Sequence, residues 1–186
     1  AECGDDVYME DPTVNKLQEM SAEITGKEKS IFVASGTMGN LIPLLILGSK
    51  TKQMLLDEES HIMHYELGGA SSLAGIMPLT VKADRGILTK KTIENYFKEQ
   101  PYYMTKINIV EIENTHNRHG GSVYKIDILK ELYKFVKSKN IHLHMDGARV
   151  FNASISSKTS VKDIASNTDS ITFCLSKGLG APMGAM

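Results

Sequence analysis

A lysine and a carboxylate each follow an apolar run in this chain, and the pair suggests covalent cofactor chemistry. Lys177 comes shortly after the apolar run at residues 171–174, and Asp146 closes a similar run at residues 141–145. If both runs are strands of one parallel sheet, the two side chains converge at its carboxyl edge. Pyridoxal phosphate needs such a pair: an amine that condenses with its aldehyde, and a carboxylate that keeps its ring nitrogen protonated. A pyridoxal phosphate site is therefore the leading hypothesis.

Lys177 by itself also fits an ordinary surface lysine. Its neighbours Cys174 and Leu175 are apolar, which favours a buried amine. A buried lysine without a partner is costly, and desolvation makes the amine a better nucleophile. We therefore expect Lys177 to be buried and reactive.

Ser35, Gly36 and Thr37 lie between two apolar runs. The first run, at residues 31–34, is a predicted strand, and the second, at residues 41–47, is a predicted buried helix. Free backbone N–H groups, a hydroxyl and the positive end of a helix dipole suit a dianionic phosphate. A glycine turn with a capping hydroxyl is common, so a plain helix cap fits as well. Pro43 must lie in the first turn of this helix or bend it.

Three further polar residues could serve the same site. Arg149 lies one turn beyond Asp146 and could clamp a substrate carboxylate through two parallel hydrogen bonds, or form an ion pair with Asp146. His61 and His116 each follow a predicted strand, where loops line sites. Either could stack on a cofactor ring or move a proton, although a loop histidine often has neither role.

A metal site is the rival hypothesis, because His142, His144 and Asp146 alternate along one predicted strand and face the same way. Ligands two positions apart on a strand have Cα atoms about 7 Å apart and rarely converge on one ion. We therefore expect no metal ligands here and interpret His142 as an ordinary strand histidine.

Predicted strands and helices alternate along the chain. A helix begins at Asp11 and Pro12 and continues to Gly26. Strands are predicted at residues 54–56, 76–81, 107–112 and 141–145, and helices at residues 66–73, 89–97, beginning with a Thr89 cap, and 128–136. This order predicts an α/β fold, a three-layer α/β/α arrangement with a mostly parallel sheet and a site along one sheet edge.

Composition indicates a small-molecule partner. The 186 residues are 41% hydrophobic and 23% charged, with a formal net charge of −1. The basic residues are dispersed, so neither nucleic acid nor a membrane is an expected partner. No apolar run approaches the roughly 20 residues that span a bilayer.

Cys3 and Cys174 form no disulfide framework, which suits a cytoplasmic protein. Since the chain begins at Ala1 and stops after a turn-like segment, we expect residues 1–186 to be one incomplete large domain.

Six segments resemble the low-specificity L-threonine aldolases, a family of pyridoxal phosphate enzymes related to the aromatic amino acid beta-eliminating lyases. They occur in that family's order and cover nearly the whole chain: GDDVY (4–8), EDPT (10–13), SGTMGN (35–40), ENTHN (113–117), HMDGAR (144–149) and LSKGLGAP (175–182). Related pyridoxal phosphate lyases share the lysine and the aspartate.

The resemblance implies a role for each candidate residue. Lys177 would carry the cofactor, Asp146 would pair with its ring nitrogen, and Gly36 and Thr37 would hold its phosphate. A second set would act on the amino acid substrate: His61, which would also stack on the ring, His116 and Arg149. Either histidine could be the base at the substrate's β-hydroxyl, and Arg149 would bind the substrate carboxylate. The resemblance also implies an N-terminal segment and a C-terminal small domain absent here, and a homo-oligomer that is a dimer of dimers.

Overall fold

The computed structural model describes residues 2–99 and 101–186 and contains a parallel five-stranded sheet. Its strands lie side by side in the order β2-β1-β3-β4-β5, and every neighbouring pair is parallel. The strands are β1 (Gln53–Asp57), β2 (Met77–Val81), β3 (Ile107–Glu113), β4 (His142–Asp146) and β5 (Ser170–Thr172). All carboxyl ends meet along one edge, as the predicted α/β fold requires.

Helices precede and connect the strands. They are α1 (Pro12–Thr25), α2 (Gly36–Leu47), α3 (His61–His64), α4 (Gly69–Ser72), α5 (Lys90–Ile93), α6 (Ile126–Ser138), α7 (Val150–Ser157) and α8 (Val161–Ala165). Short 3₁₀ helices cover Asp6–Tyr8, Asp84–Gly86 and Glu94–Phe97. Asp11 caps α1 as predicted, since its carboxylate accepts hydrogen bonds from the Thr13 and Val14 N–H groups.

Alternation along the strands gives the sheet two different faces. Leu55, Val110 and Leu143 point into the larger core, which also contains the apolar side of α6: Leu129, Leu132 and Val136. Burying each of these side chains contributes roughly 1.5–3 kcal/mol. The opposite face carries a smaller apolar cluster around Met54, Leu56 and Ile109, with Leu44 of α2 packed on it. Helices thus cover both faces, which confirms the three-layer arrangement.

The polar residues of the central strands lie on the α2 side of the sheet. Glu111 of β3 is in register with His144 of β4, and Glu113 is in register with Asp146. Residues paired in this way share a face. Four ionisable side chains are therefore buried next to one another under α2, toward the carboxyl edge.

Several predicted elements differ from the structure. Residues 31–34 do not form a strand; Val33 alone makes an antiparallel bridge, with Ala185. The run at residues 171–174 contributes only its beginning to β5, and Cys174 also bridges to Ala185. Of the predicted helix at 66–73, only the single turn α4 forms, because Leu67 and Gly68 have positive φ values; a further single turn, α3, precedes this range.

Pro43 lies in the interior of α2, beyond its first turn. The missing N–H at that position removes one helical hydrogen bond, and the next residue, Leu44, is buried against the sheet. Within the described residues, no helix combines the length and apolarity that a bilayer crossing would need.

Candidate cofactor site

A cavity of about 390 Å³ opens at the carboxyl edge of the sheet. Its wall combines the start of α2, the start of α3, the end of β4 and the loop that follows β5. Five of the predicted residues line it: Gly36, Thr37, His61, Asp146 and Lys177. The volume falls within the range of about 300–1,000 Å³ typical of small-molecule sites.

The start of α2 provides an anion-binding wall. Ser35 is the N-cap, and its hydroxyl accepts a hydrogen bond from the Met38 N–H at 3.2 Å. The first N–H groups of a helix have no partner within the helix, so those of Gly36 and Thr37 are available to a ligand. Space is tight here, since a Cβ on Gly36 would lie 2.8 Å from the Cys174 sulfur. The Ser35 cap is therefore confirmed, and phosphate binding by Gly36 and Thr37 stays a prediction that the free N–H groups fit.

Asp146 ends β4 with its carboxylate buried and held by two donors. The Ala148 N–H donates to Oδ1 at 3.0 Å, and the Asn40 side-chain amide donates to Oδ2 at 2.8 Å. These donors compensate part of the cost of burying a charge and fix the carboxylate toward the cavity. A protonated ring nitrogen of a ligand would find its acceptor here.

Glu66 joins Asn40 to His61. The Asn40 amide also donates to Glu66 Oε1 at 2.8 Å, and the same oxygen lies 2.9 Å from His61 Nδ1. The hydrogen bond to Glu66 raises the pKa of His61 above its ordinary value, and burial opposes this rise. With Nδ1 engaged by Glu66, proton exchange at the cavity falls to Nε2 of His61.

His144 lies behind this group and acts as a neutral support. Burial lowers its pKa to about 4, so the ring is uncharged at neutral pH. Both hydrogens of the Asn40 amide go to carboxylates, which leaves Asn40 Oδ1 to accept from His144 Nε2 at 3.2 Å. His144 Nδ1 then accepts from the Ser170 hydroxyl at 2.8 Å. A continuous hydrogen-bonded chain therefore runs from β5 through β4 and α2 to the cavity.

The expected burial of Lys177 was wrong, and of the two alternatives for Arg149 the ion pair with Asp146 does not form. Lys177 lines the cavity but is exposed rather than buried, because the chain leaves the sheet after Thr172 and turns outward around it. Arg149 does not pair with Asp146, whose oxygens are already taken by Asn40 and Ala148. Its guanidinium donates to Asn117 Oδ1 at 3.2 Å instead.

His116 is not part of the cavity wall. It is completely buried, and its Nε2 lies 3.2 Å from Asp57 Oδ1 at the end of β1. The rival metal trio is also not assembled: His144 bonds to Ser170 and Asn40, and His142 lies 4.0 Å from Asp169. Strand geometry explains this, because each of these side chains meets a different neighbouring strand or loop.

Two other groups of ligating side chains do come together. One is His61, Glu66 and Asp146, whose ligand atoms lie within 4.8 Å of one another in the cavity wall. The other is Asp57, His116 and His119, equally close and outside that wall.

The sequence predicts no role for Asn40 or Glu66, and it indicates His144 only as a candidate metal ligand. The sequence does contain an indication that Asn40 is important, since it is the one strongly polar side chain between Met38 and the end of an otherwise apolar helix. Glu66 carries no comparable indication, because an acidic residue at the start of a predicted helix, here 66–73, is common.

The arrangement fits pyridoxal phosphate on chemical grounds. The α2 N-terminus can take a phosphate, Asp146 can take a ring N–H, and the imidazole of His61 can stack on a ring. Lys177 supplies an amine at the same cavity. The four groups come from four separate parts of the chain, and together they match the recognition elements that this cofactor presents.

Comparison with known proteins agrees with the chemistry. A sequence model of the beta-eliminating lyase family matches residues 1–186. The low-specificity L-threonine aldolase of Escherichia coli K12 is 39% identical over 187 residues, which cover 100% of this chain and 55% of that protein. A protein of Arabidopsis thaliana, named a probable low-specificity L-threonine aldolase 2, is 41% identical over 192 residues, with 100% and 54% covered.

The fold also matches a solved structure. The threonine aldolase of Leishmania major superposes with a TM-score of 0.85 at 24% identity, over 96% of this chain and 52% of that one. The chain thus spans about half the length of these relatives. Membership of this family indicates pyridoxal phosphate as the cofactor. Residues 1–186 belong to the beta-eliminating lyase family.

Proposed function

We propose that this chain is the cofactor-binding large domain of an enzyme that cleaves L-threonine or L-allo-threonine to glycine and acetaldehyde. The convergence of Lys177, Asp146, His61 and the α2 N-terminus on one cavity carries the proposal. The names of the relatives at 39% and 41% identity support the choice of substrate. The enzyme would act in the cytoplasm as a homo-oligomer built as a dimer of dimers.

Lys177 would attach the cofactor through its amine, and Gly36 and Thr37 would hold the phosphate at the start of α2. When bound, pyridoxal phosphate supplies an electron sink for the carbon that loses its bond. Asp146 would hold the proton at the ring nitrogen, with Asn40 and the Ala148 N–H fixing its orientation. This arrangement favours charge at the substrate's Cα.

Arg149 would bind the substrate carboxylate, which fixes the amino acid relative to the cofactor. Its bond to Asn117 places the guanidinium near the loop after β3 and would direct it. His61 would take the proton from the β-hydroxyl through Nε2 as the Cα–Cβ bond breaks, and acetaldehyde would leave. We propose His61 rather than His116 as the base because His61 borders the cavity and His116 is buried outside it.

Replacement of Lys177 by alanine tests the proposal. Full-length protein loaded with pyridoxal phosphate should release acetaldehyde from L-threonine or L-allo-threonine, and Lys177→Ala should lower kcat by at least about 10²–10⁴-fold, because an amine that also moves protons contributes on that scale. Lys134→Ala is the matched control, since Lys134 lies exposed on α6. Release at the parental rate by Lys177→Ala would contradict the assignment.

The products separate the alternatives. Another pyridoxal phosphate lyase or an aminotransferase on the same scaffold would yield a keto acid instead of glycine and an aldehyde. A non-catalytic cofactor-binding fragment would retain the cofactor and give neither product. Glycine and acetaldehyde in equal amounts are the expected result.

A further inference from the structure

We propose that Asp57, His116 and His119 form a site for a divalent ion of the zinc type, separate from the cofactor cavity. Asp57 ends β1, and the two histidines lie in the loop after β3. Their ligand atoms lie within 4.8 Å of one another. None of the three residues lines the cofactor cavity.

Two of the three distances between these atoms match those between metal ligands. Asp57 Oδ1 lies 3.2 Å from His116 Nε2 and 3.3 Å from His119 Nε2. Ligand atoms bound at 2.0–2.1 Å to a tetrahedral zinc ion lie about 3.3 Å apart. Two imidazole nitrogens and one carboxylate oxygen are also a common protein ligand set for zinc, with a water molecule in the fourth position.

Within the described part of the chain, neither Nε2 of His116 nor Nε2 of His119 forms a hydrogen bond, although both atoms are buried. His116 Nε2 also lies 3.8 Å from Glu113 Oε2. The two rings approach each other at 64° with their centroids 4.6 Å apart, and both Nε2 atoms lie close to the same carboxylate oxygen without forming a hydrogen bond. Buried polar atoms are normally paired, and one ion would satisfy both nitrogens.

The carboxylate is already oriented for this task. The Glu59 N–H donates to Asp57 Oδ1 at 3.0 Å, and the Ala83 N–H donates to Oδ2 at 3.1 Å. Gly86 leaves room for the His116 ring, since a Cβ there would lie 2.3 Å from it. The side chain of His119 is 27% exposed, so an ion can enter from solvent. These contacts hold two of the ligands in place before an ion binds.

The ion would connect the loop after β3 to the end of β1. The same loop carries Asn117, which bonds to Arg149, and it begins after Glu113, whose carboxylate accepts from the His61 N–H at 3.1 Å. The proposed site is therefore structural: it orders the segment that leads to the cofactor cavity while its ligands lie outside that cavity. It does not depend on which amino acid the enzyme cleaves.

Metal binding by the full-length, cofactor-loaded and tag-free protein tests the proposal. After removal of metal with a chelator and dialysis, the protein should bind one Zn²⁺ per chain, and Co²⁺ should give the intense visible absorption of a tetrahedral site. His119→Ala should weaken Zn²⁺ binding more than about 10- to 100-fold, the loss that even an outer partner of a metal ligand causes. Zn²⁺ should also raise the Tm of the parent and not that of His119→Ala.

His142→Ala is the matched control, because His142 is a half-exposed histidine at the start of β4. It should bind Zn²⁺ like the parent. Asp57→Asn provides a second ligand variant, with its fold checked by circular dichroism, and should also lose binding. A parent that binds no Zn²⁺ at micromolar concentration, or variants that bind it as tightly as the parent, would overturn the proposal.

Discussion

At the scale of single residues, the Asn40 amide organises the cofactor site. Its two hydrogens go to Asp146 and Glu66, and its oxygen accepts from His144. The sequence identified Asp146 and Lys177 because their residue types and positions after apolar runs have a known chemical use. It could not identify Glu66, since its importance comes from partners far away in sequence, such as Asn40, 26 positions earlier.

The pair of Glu66 and His61 predicts a pH effect. Because Glu66 raises the pKa of His61, Glu66→Gln should lower that pKa. A base must be unprotonated, so activity falls as the pH drops through its pKa, and the acid limb of kcat/KM should move to lower pH in Glu66→Gln. An NMR titration of the His61 ring measures the shift directly.

Glu58→Gln is the control for this experiment, since Glu58 is a nearby partly exposed carboxyl whose backbone carbonyl, not its side chain, contacts His64. It should leave the titration of His61 unchanged. An unchanged His61 titration in Glu66→Gln would disprove the electrostatic role of Glu66.

At the scale of elements, long and regularly patterned segments were predicted well, and segments defined by distant contacts were not. The apolar spacing of α6 and the alternation of β3 can be read locally, and both elements form as predicted. The run at residues 31–34 has the same apolar character but meets only Ala185, through Val33. Whether such a run becomes a strand depends on a partner that local sequence does not reveal.

Helix α2 lies so close to the sheet that only glycine fits at one position. A Cβ on Gly39 would lie 2.5 Å from Thr172 Cγ2 of β5, and both residues are buried. Gly39→Ala should therefore lower the free energy of unfolding by about 1–3 kcal/mol, less the gain of up to about 1 kcal/mol that alanine has over glycine in a helix. Urea denaturation of the two proteins measures the difference.

Gly69→Ala is the matched control, because a Cβ there would meet Leu41 at an ordinary 3.8 Å. Only the gain in helix propensity should remain, so this variant should be as stable as the parent or more stable. Equal losses in both variants would show that the close approach of α2 has no energetic role.

At the scale of the whole molecule, the sheet buries several acidic side chains on one face. Burial raises the pKa of Glu111 well above its ordinary value, and the neighbouring Glu113 and Asp146 raise it further. The Ser60 hydroxyl donates to Glu111 Oε2 at 3.0 Å. Glu111 is therefore protonated in the folded protein at a pH where the unfolded chain has already lost that proton.

This linkage makes stability fall with rising pH. The free energy of unfolding that Glu111 contributes is fully present below pH 4.5, the ordinary pKa of the side chain. It is lost progressively as the pH rises toward the raised pKa of Glu111 in the folded state. Glu111→Gln removes the titrating group, so its Tm should fall less than that of the parent between acidic and alkaline pH. Glu131→Gln, with a side chain 63% exposed, should follow the parent. Identical pH profiles for the parent and Glu111→Gln would contradict this prediction.

The hydrogen bond from Asn40 to Asp146 joins residues 106 positions apart, and this separation has a consequence for biosynthesis. Parallel strands join only through long crossovers, so the entropy of closing large loops must be lost before such contacts form. On the ribosome, α2 would emerge long before β4, β5 and Lys177. A nascent chain could therefore retain pyridoxal phosphate only after the fifth strand had left the exit tunnel, which makes cofactor capture a late event that reports completion of the sheet.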